Sequence, residues 1–417
     1  MPIVVSLFSG AGGLDEGFRS SGYRIGCCVE METWACDTLR RNHPDTPVMG
    51  PPDHPGDIKN ISATDICNFA GLQIEEVDVL IGGPPCQPFS QAATQRFLKG
   101  DERFKRQGFD DVLKGTLLFD FARLVIEFRP RVFVLENVPG LLTMDEGKQL
   151  NQTLVELHAE GYHTSPLTVI SAADYGVPQY RERLIIWGSR TIDEPTLPQP
   201  THTEGESVLF LPHNLVAQAL VGMPQNLSNH VTRKHNKLSI ERYQKLNFGQ
   251  REKLGRVDRL DPRKPSKTVI SGGTKGGGRS HLHPFIARTL SVRECARLQT
   301  FDDEYIFEGS IARQFTQVGN AVPPLLAEHL ARHIKLQEFG EQVIEPFHHG
   351  RYLYHNEDVD ILLERLLKES RATQPEWIYH SHAITDNKEA DFKTVNCAGI
   401  IELPDEAVNT EEVCYAS

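Results

Sequence analysis

The 417-residue chain is 39% hydrophobic and 24% charged, a soluble balance with length enough for two hydrophobic cores. No apolar run approaches the roughly 20 residues of a transmembrane helix, and the eight cysteines and 17 histidines form no CxxC or HExxH arrangement, so a membrane span, a disulfide framework and a metal site are not expected. Net charge is −12, yet residues 231–290 hold 15 Lys and Arg against 4 Asp and Glu while residues 341–417 hold 6 against 16, a polarity that suits one phosphate-attracting surface on a soluble protein.

The opening MPIVVSLFSG lacks a basic leader and runs into glycines, so it reads as a buried strand over 3–8 rather than a signal peptide, and a cytoplasmic protein is expected. Short runs rich in β-branched and aromatic residues predict further strands over 25–30, 77–81, 132–135 and 184–187. Helical periodicity fills 116–128 and 148–160. Alternating strands and helices predict an α/β fold with a doubly wound, mostly parallel sheet, whose ligands lie beyond the carboxyl ends of the strands. At 191 the composition turns to DEPTLPQPTHTEGES, a linker. The basic segment follows and closes in SGGTKGGGRSHLHP. SVRECARLQTF then predicts a helix capped by Ser291 with Glu294 three residues on, and QVGNAVPPLLAEHLARHIKL a loop feeding another helix. The domains expected are 1–190 for catalysis, 191–285 as a smaller second domain, 286–340 returning to complete the first, and an acidic extension 341–417 with one amphipathic helix over 359–367.

Chemistry is sought just after the strands. FSGAGGLDEGF, residues 8–18, offers Gly10, Gly12 and Gly13 for close backbone approach to a ligand. Asp15 stands where a dinucleotide fingerprint needs its third glycine and would repel a pyrophosphate, which disfavours a nicotinamide cofactor. Glu30, at the end of the second strand, is placed to accept from ribose hydroxyls, though a solvated carboxylate explains it as well; Asp57 and Ile58 suit an adenine ring. IGGPPCQPFS, residues 81–90, holds Cys86 at the centre of a proline-stiffened loop, where rigidity serves to aim a sulfur. Glu136 in LENVPG, with Asn137 ordering its turn, is a candidate acid, and VPQYRERL sets Arg181 and Arg183 two apart on one strand face.

Taken together, FSGAGG, GGPPCQPFS, ENVPG, VPQYRERL and QVGNAVPP resemble the cytosine-5 DNA methyltransferases over residues 1 to about 335. The resemblance implies a Rossmann-like, S-adenosylmethionine-dependent methyltransferase fold and an S-adenosylmethionine pocket lined by Phe8, Gly10, Ala11, Gly13, Glu30, Met31, Asp57, Ile58, Gly83, Pro85, Leu117 and Asn320. It places Cys86, Glu136, Arg181 and Arg183 at the target base and makes 191–285 a target-recognition domain reading double-stranded DNA. Two departures stand out: Ser6 replaces a frequent acidic residue, and the chain continues past the last motif.

The chemistry fits those residue types. Carbon 5 of cytosine is a poor nucleophile until a thiolate adds to carbon 6, and cysteine has the reactivity for that. A carboxylic acid kept protonated by burial, Glu136, can donate to N3, and the arginines can hold O2. A stacked base exposes neither ring face, so the target must be flipped out; the loop 91–115, with its lysines and arginines, is placed to close over DNA. The expected protein is a monomeric methylase that protects DNA from a cognate restriction endonuclease. A transfer-RNA methylase is the rival within the same chemistry, though its characteristic Cys-Phe-Thr is missing here. A catalytically silent DNA-binding regulator is the rival outside it.

Overall fold

A computed structural model describes residues 1–85, 117–205, 207–254, 257–271, 281–353 and 357–374. Cys86 and the loop 91–115 lie outside these residues. The strands are β1 (Ile3–Leu7), β2 (Arg24–Val29), β3 (Val48–Met49), β4 (Val77–Gly82), β5 (Val132–Asn137), β6 (His163–Thr164), β7 (Thr168–Ser171), β8 (Gln179–Tyr180) and β9 (Glu182–Ser189). The main sheet runs β3-β2-β1-β4-β5-β9, with β6 and β7 both along the far edge of β9. β1 to β5 pair in parallel and β9 runs against them, so the doubly wound, mostly parallel sheet is present. β5 reaches further than its apolar core suggests, which makes Glu136 and Asn137 strand residues.

Helices cover both faces, and the strands divide their side chains between them with period two. Val5, Leu7, Leu80, Phe133 and Leu135 enter one core with α3 (Ala63–Ala70), α4 (Leu117–Phe128) and α5 (Lys148–Ala159). Val4, Val79, Ile81, Val132 and Val134 enter the other with α1 (Gly13–Ser20), α2 (Thr33–Asn42) and the late helix Pro324–Phe339. That late helix locks onto α1: Tyr23 Oη donates to the Ala331 carbonyl at 3.1 Å and Lys335 Nζ to that of Ser21 at 3.0 Å. At Gly17 an added Cβ would sit 2.4 Å from the Ala327 carbonyl carbon.

The helix expected after Ser291 spans Val292–Leu298 with its capping box formed. Glu294 does more than cap, because Arg288 grips its carboxylate in a buried two-pronged pair at 2.7 and 2.8 Å. This helix shares a third core with Val216–Val221, Phe285 and Phe301, and Leu353, Leu362, Leu363 and Leu366 of the C-terminal extension join them. The core thus crosses the boundaries drawn at 285 and 340, since the short helix Val216–Leu220 has too little apolar neighbourhood to bury itself. The extension's helix runs Val359–Thr373, capped by Asp358, longer than its apolar stripe because its last turns are polar. Gln179–Tyr180 pairs in parallel with Ser266–Lys267, fastening the basic segment to VPQYRERL. No helix among the described residues is long and apolar enough to cross a membrane.

Two predictions follow from this packing. Gly17→Ala forces backbone apart where α1 meets the late helix and is expected to lower unfolding free energy by about 1–3 kcal/mol in urea titration; an unchanged midpoint would show that the two helices give way freely. Burial pushes the imidazoles of His283 and His329 down to about 3. Both rings stay neutral in the fold while the unfolded chain protonates near 6.5, so their contribution is complete above that pH and is lost as pH falls toward 3. Each removes up to about 1.4 kcal/mol per pH unit in that window, to be read from urea midpoints between pH 7.5 and 5.

Candidate active site

The turn after β1 is built on backbone few side chains tolerate. Phe8 has φ 54°, Gly10 φ 54° and Gly12 φ 74°, and a Cβ on Gly13 would lie 2.2 Å from the Val322 carbonyl oxygen. Ala11 is buried, its carbonyl accepting from Tyr305 Oη at 2.7 Å. Asp15 departs from expectation: it does not face a ligand as a free charge but is 1% exposed beneath the turn. Burial raises its carboxyl above the usual range, a hydrogen bond with Ser6 works the other way, and the Cys28 thiol donates to it at 3.6 Å. Ser6 is therefore the small polar partner of a buried carboxyl supplied from nine residues on.

Glu30 joins the turn after β1 to the segment after β2. Its Oε2 accepts from the Gly10 amide at 2.7 Å and its Oε1 from the Met31 and Glu32 amides at 2.8 and 2.9 Å. Burial pushes this carboxyl up while the three amides oppose the shift. Met31 beside it is 59% exposed, an apolar side chain open to a planar ligand. The chain returns tightly: a Cβ on Gly50 or Gly56 would lie 2.2 or 2.0 Å from the Glu30 carbonyl oxygen. That approach delivers Asp57, which caps the turn Ile58–Asn60, with Ile58 buried below. Phe8 and Leu117 both pack, half-buried, on the first core. Asn320, exposed, ends the helix Ile311–Asn320 one residue before Ala321, whose Cβ borders Gly13. Gly50, Gly56 and Tyr305 were not singled out from sequence; the two glycines flank PPDHP, a turn signal.

The residues expected at the base are found, where described, at the ends of β4 and β5 and the start of β9. Arg183 Nε meets Glu136 Oε1 at 2.7 Å, each side chain 12% exposed. A Cβ on Gly83 would stand 2.8 Å from Glu136 Oε2, so glycine there makes room for the carboxylate. Asn137 orders the loop, donating from Nδ2 to the Pro84 carbonyl at 3.1 Å while its Oδ1 accepts from the Val138 amide. Pro85, exposed, directly precedes Cys86. Arg181 is placed differently from the expectation that it faces the base. It is fully buried, donating to the carbonyls of Gly319 and Ala321 at 3.1 and 2.8 Å and, more weakly, to those of Asn320 and Val269. Main-chain acceptors take up its terminal nitrogens, and burial drives its guanidinium well below the usual range.

The arrangement offers a buried carboxylate beside a glycine turn and a carboxylate–guanidinium pair where the loop to Cys86 begins. The sequence pattern of the C-5 cytosine-specific DNA methylases matches residues 3–336. The chain is 36% identical over 349 residues to the type II methyltransferase M.NgoFVII of Neisseria gonorrhoeae, covering 80% of this chain and 86% of that protein. It is 34% identical over 342 residues to M1.HphI of Haemophilus parahaemolyticus, covering 78% and 85%. A DNA modification methyltransferase encoded within an E. coli prophage superposes with TM-score 0.63 at 25% identity over 80% of this chain and 98% of that one. The Dnmt2 methyltransferase of S. pombe shares the fold at TM-score 0.54 and 14% identity, covering 82% and 99%. The chain belongs to the C-5 cytosine-specific DNA methylase family and is a DNA (cytosine-5) methyltransferase.

Proposed function

We propose that this enzyme moves the methyl group of S-adenosylmethionine to carbon 5 of a cytosine flipped out of a specific duplex sequence, with Cys86 bonded transiently to carbon 6. The observation that carries the reading is the Glu136–Arg183 pair at 2.7 Å, seated against Gly83 where the loop to Cys86 begins. The segment around Glu30 supports a nucleoside cofactor beside this pair. Glu30 is held by three amides with its carboxylate fixed in place, Met31 is open, and a Cβ on Gly10 would meet only the Phe8 carbonyl oxygen, at 3.9 Å.

In this reading the Cys86 thiolate adds to carbon 6 while Glu136 passes a proton to N3, leaving carbon 5 enamine-like and nucleophilic. When bound, S-adenosylmethionine would supply the methyl group to carbon 5 from its sulfonium, with S-adenosylhomocysteine as the leaving group. Loss of the carbon-5 proton to water, return of the N3 proton to Glu136 and expulsion of the thiolate restore the ring. Arg183 orients Glu136 and reaches O2. Arg181 is a positioning residue that fixes the segment carrying Asn320. Base extrusion is needed because a stacked ring hides carbon 6. Residues 191–285 act as the recognition domain: Lys234, Lys237, Lys245, Lys253 and Lys264 are exposed there, suited to phosphate. Type II relatives support a role in protecting DNA from a cognate restriction endonuclease.

Duplex DNA carrying 5-fluorocytosine at a methylated site is expected to become covalently linked to the wild-type chain and not to Cys86→Ala, with S-adenosylhomocysteine binding retained in the variant. Absence of any adduct on a duplex the enzyme methylates would remove Cys86 from the mechanism, and label entering transfer RNA alone would overturn the substrate. The two arginines should separate. Arg181→Ala leaves buried carbonyls unpaired and is expected to lose about 3 kcal/mol or more of unfolding free energy. Arg183→Ala should lose less stability yet at least about 100-fold in transfer rate. The opposite ranking in urea and single-turnover measurements would exchange their roles.

A further inference from the structure

Away from the methyl-transfer site, three side chains converge, one from within the family match and two from beyond its end. Asp302 lies in the loop after the helix Val292–Leu298, and His348 and His349 lie in the extension. The Oδ2 atom of Asp302 is 3.0 Å from His348 Nε2 and 3.3 Å from His349 Nδ1, and one ligand atom from each residue falls within 4.8 Å of the other two. The His349 side chain is 2% exposed and its Nδ1 faces the Asp302 carboxylate, while its Nε2 has no hydrogen-bond partner. An imidazole is seldom buried in that condition.

We propose that Asp302, His348 and His349 bind a divalent transition-metal ion of the zinc type. Metal–nitrogen and metal–oxygen bonds of about 2.0–2.2 Å in a tetrahedron place ligand atoms about 3.3–3.6 Å apart, which the 3.3 Å contact meets and the 3.0 Å contact approaches. Two imidazoles and one carboxylate suit zinc, cobalt or nickel and not calcium or magnesium, which take oxygen sets. The site is held in advance of any ion. The amides of His348 and His349 donate to the Glu328 carboxylate at 2.9 to 3.1 Å, and Arg332 secures Glu328 from the other side. His348, its side chain 52% exposed, leaves an entry path and room for water at the fourth position. The ion staples the extension to the loop that also carries Tyr305, the residue bonded to the Ala11 carbonyl.

The full chain, stripped with a chelator and desalted, is titrated with zinc chloride by calorimetry, in parallel with His348→Ala and Asp302→Asn. Wild type is expected to bind one more equivalent of zinc than either variant and to gain thermal stability from it, with cobalt giving the absorption of a tetrahedral site. His348 is exposed, so its variant should fold; circular dichroism confirms this. Equal zinc stoichiometry in wild type and both variants, or no binding by wild type at micromolar zinc, overturns the proposal. Because the readout is binding and melting, the result is independent of the methyl-transfer mechanism.

Discussion

The register of β5 against β9 sets the geometry of the active site. In a parallel sheet all carboxyl ends meet at one edge, and a strand running the opposite way brings its beginning to that edge. β9 does so, with Glu136 opposite Ile185 and Asn137 opposite Leu184. Arg183, two residues before Ile185, projects on the same face as Glu136, one diagonal step away across the ladder, within reach of a long side chain. A slip of one residue would carry the guanidinium to the other face. The ion pair is thus a consequence of how the sheet is laced, and the flanking Leu184, Ile185, Ile186 and Trp187, all buried, hold the register by dividing between the two cores.

Close backbone approach does comparable work around Glu30. Gly13, Gly50, Gly56 and Gly83 stand where a Cβ would collide with a carbonyl or carboxylate oxygen. Their absence of side chain lets three loops converge on Glu30 and lets Glu136 lie flat against the root of the cysteine loop. Such a site is assembled from main chain first, and the charged groups are then fixed by amides. Glu30 illustrates the balance: burial disfavours its anion, and three amide donors offset part of that cost. Preorganised polar groups of this kind need no rearrangement when a ligand arrives.

The strands, their order of burial and the position of the glycine turn were legible because each depends on residues near in sequence: β-branched runs, period-two alternation, a capping Ser three residues before Glu294. The motif residues that come together were legible by resemblance. What was not legible depends on polar bonds across long separations. Arg181 shares its parity with Arg183, yet carbonyls 138 to 140 residues away claim its terminal nitrogens, and no local pattern announces that. Asp15 reads as an acid at a helix start, a common solvated position, and only its packing against Ser6 of β1 and Cys28 of β2 encloses it. The His348–His349 pair has no recognisable ligand spacing because its third member lies 46 residues earlier, in another element.

The extension's first part is structural mass for the core it shares with Val216–Leu220 and Val292–Leu298. Leu362, Leu363 and Leu366 are each no more than 3% exposed, and full burial of such a side chain is worth about 1.5–3 kcal/mol. As an upper bound this is about 5–9 kcal/mol, comparable with the net stability of a whole domain. The contact is also specific in orientation: Glu369 accepts from the Gly222 amide at 2.9 Å, closing the end of Val216–Leu220, and Tyr352 Oη donates to the Arg297 carbonyl. A helix of five residues cannot hold itself together in water. Val216–Leu220 persists because residues from both later segments cover it, so the geometry of the basic region depends on chain beyond the family's last motif.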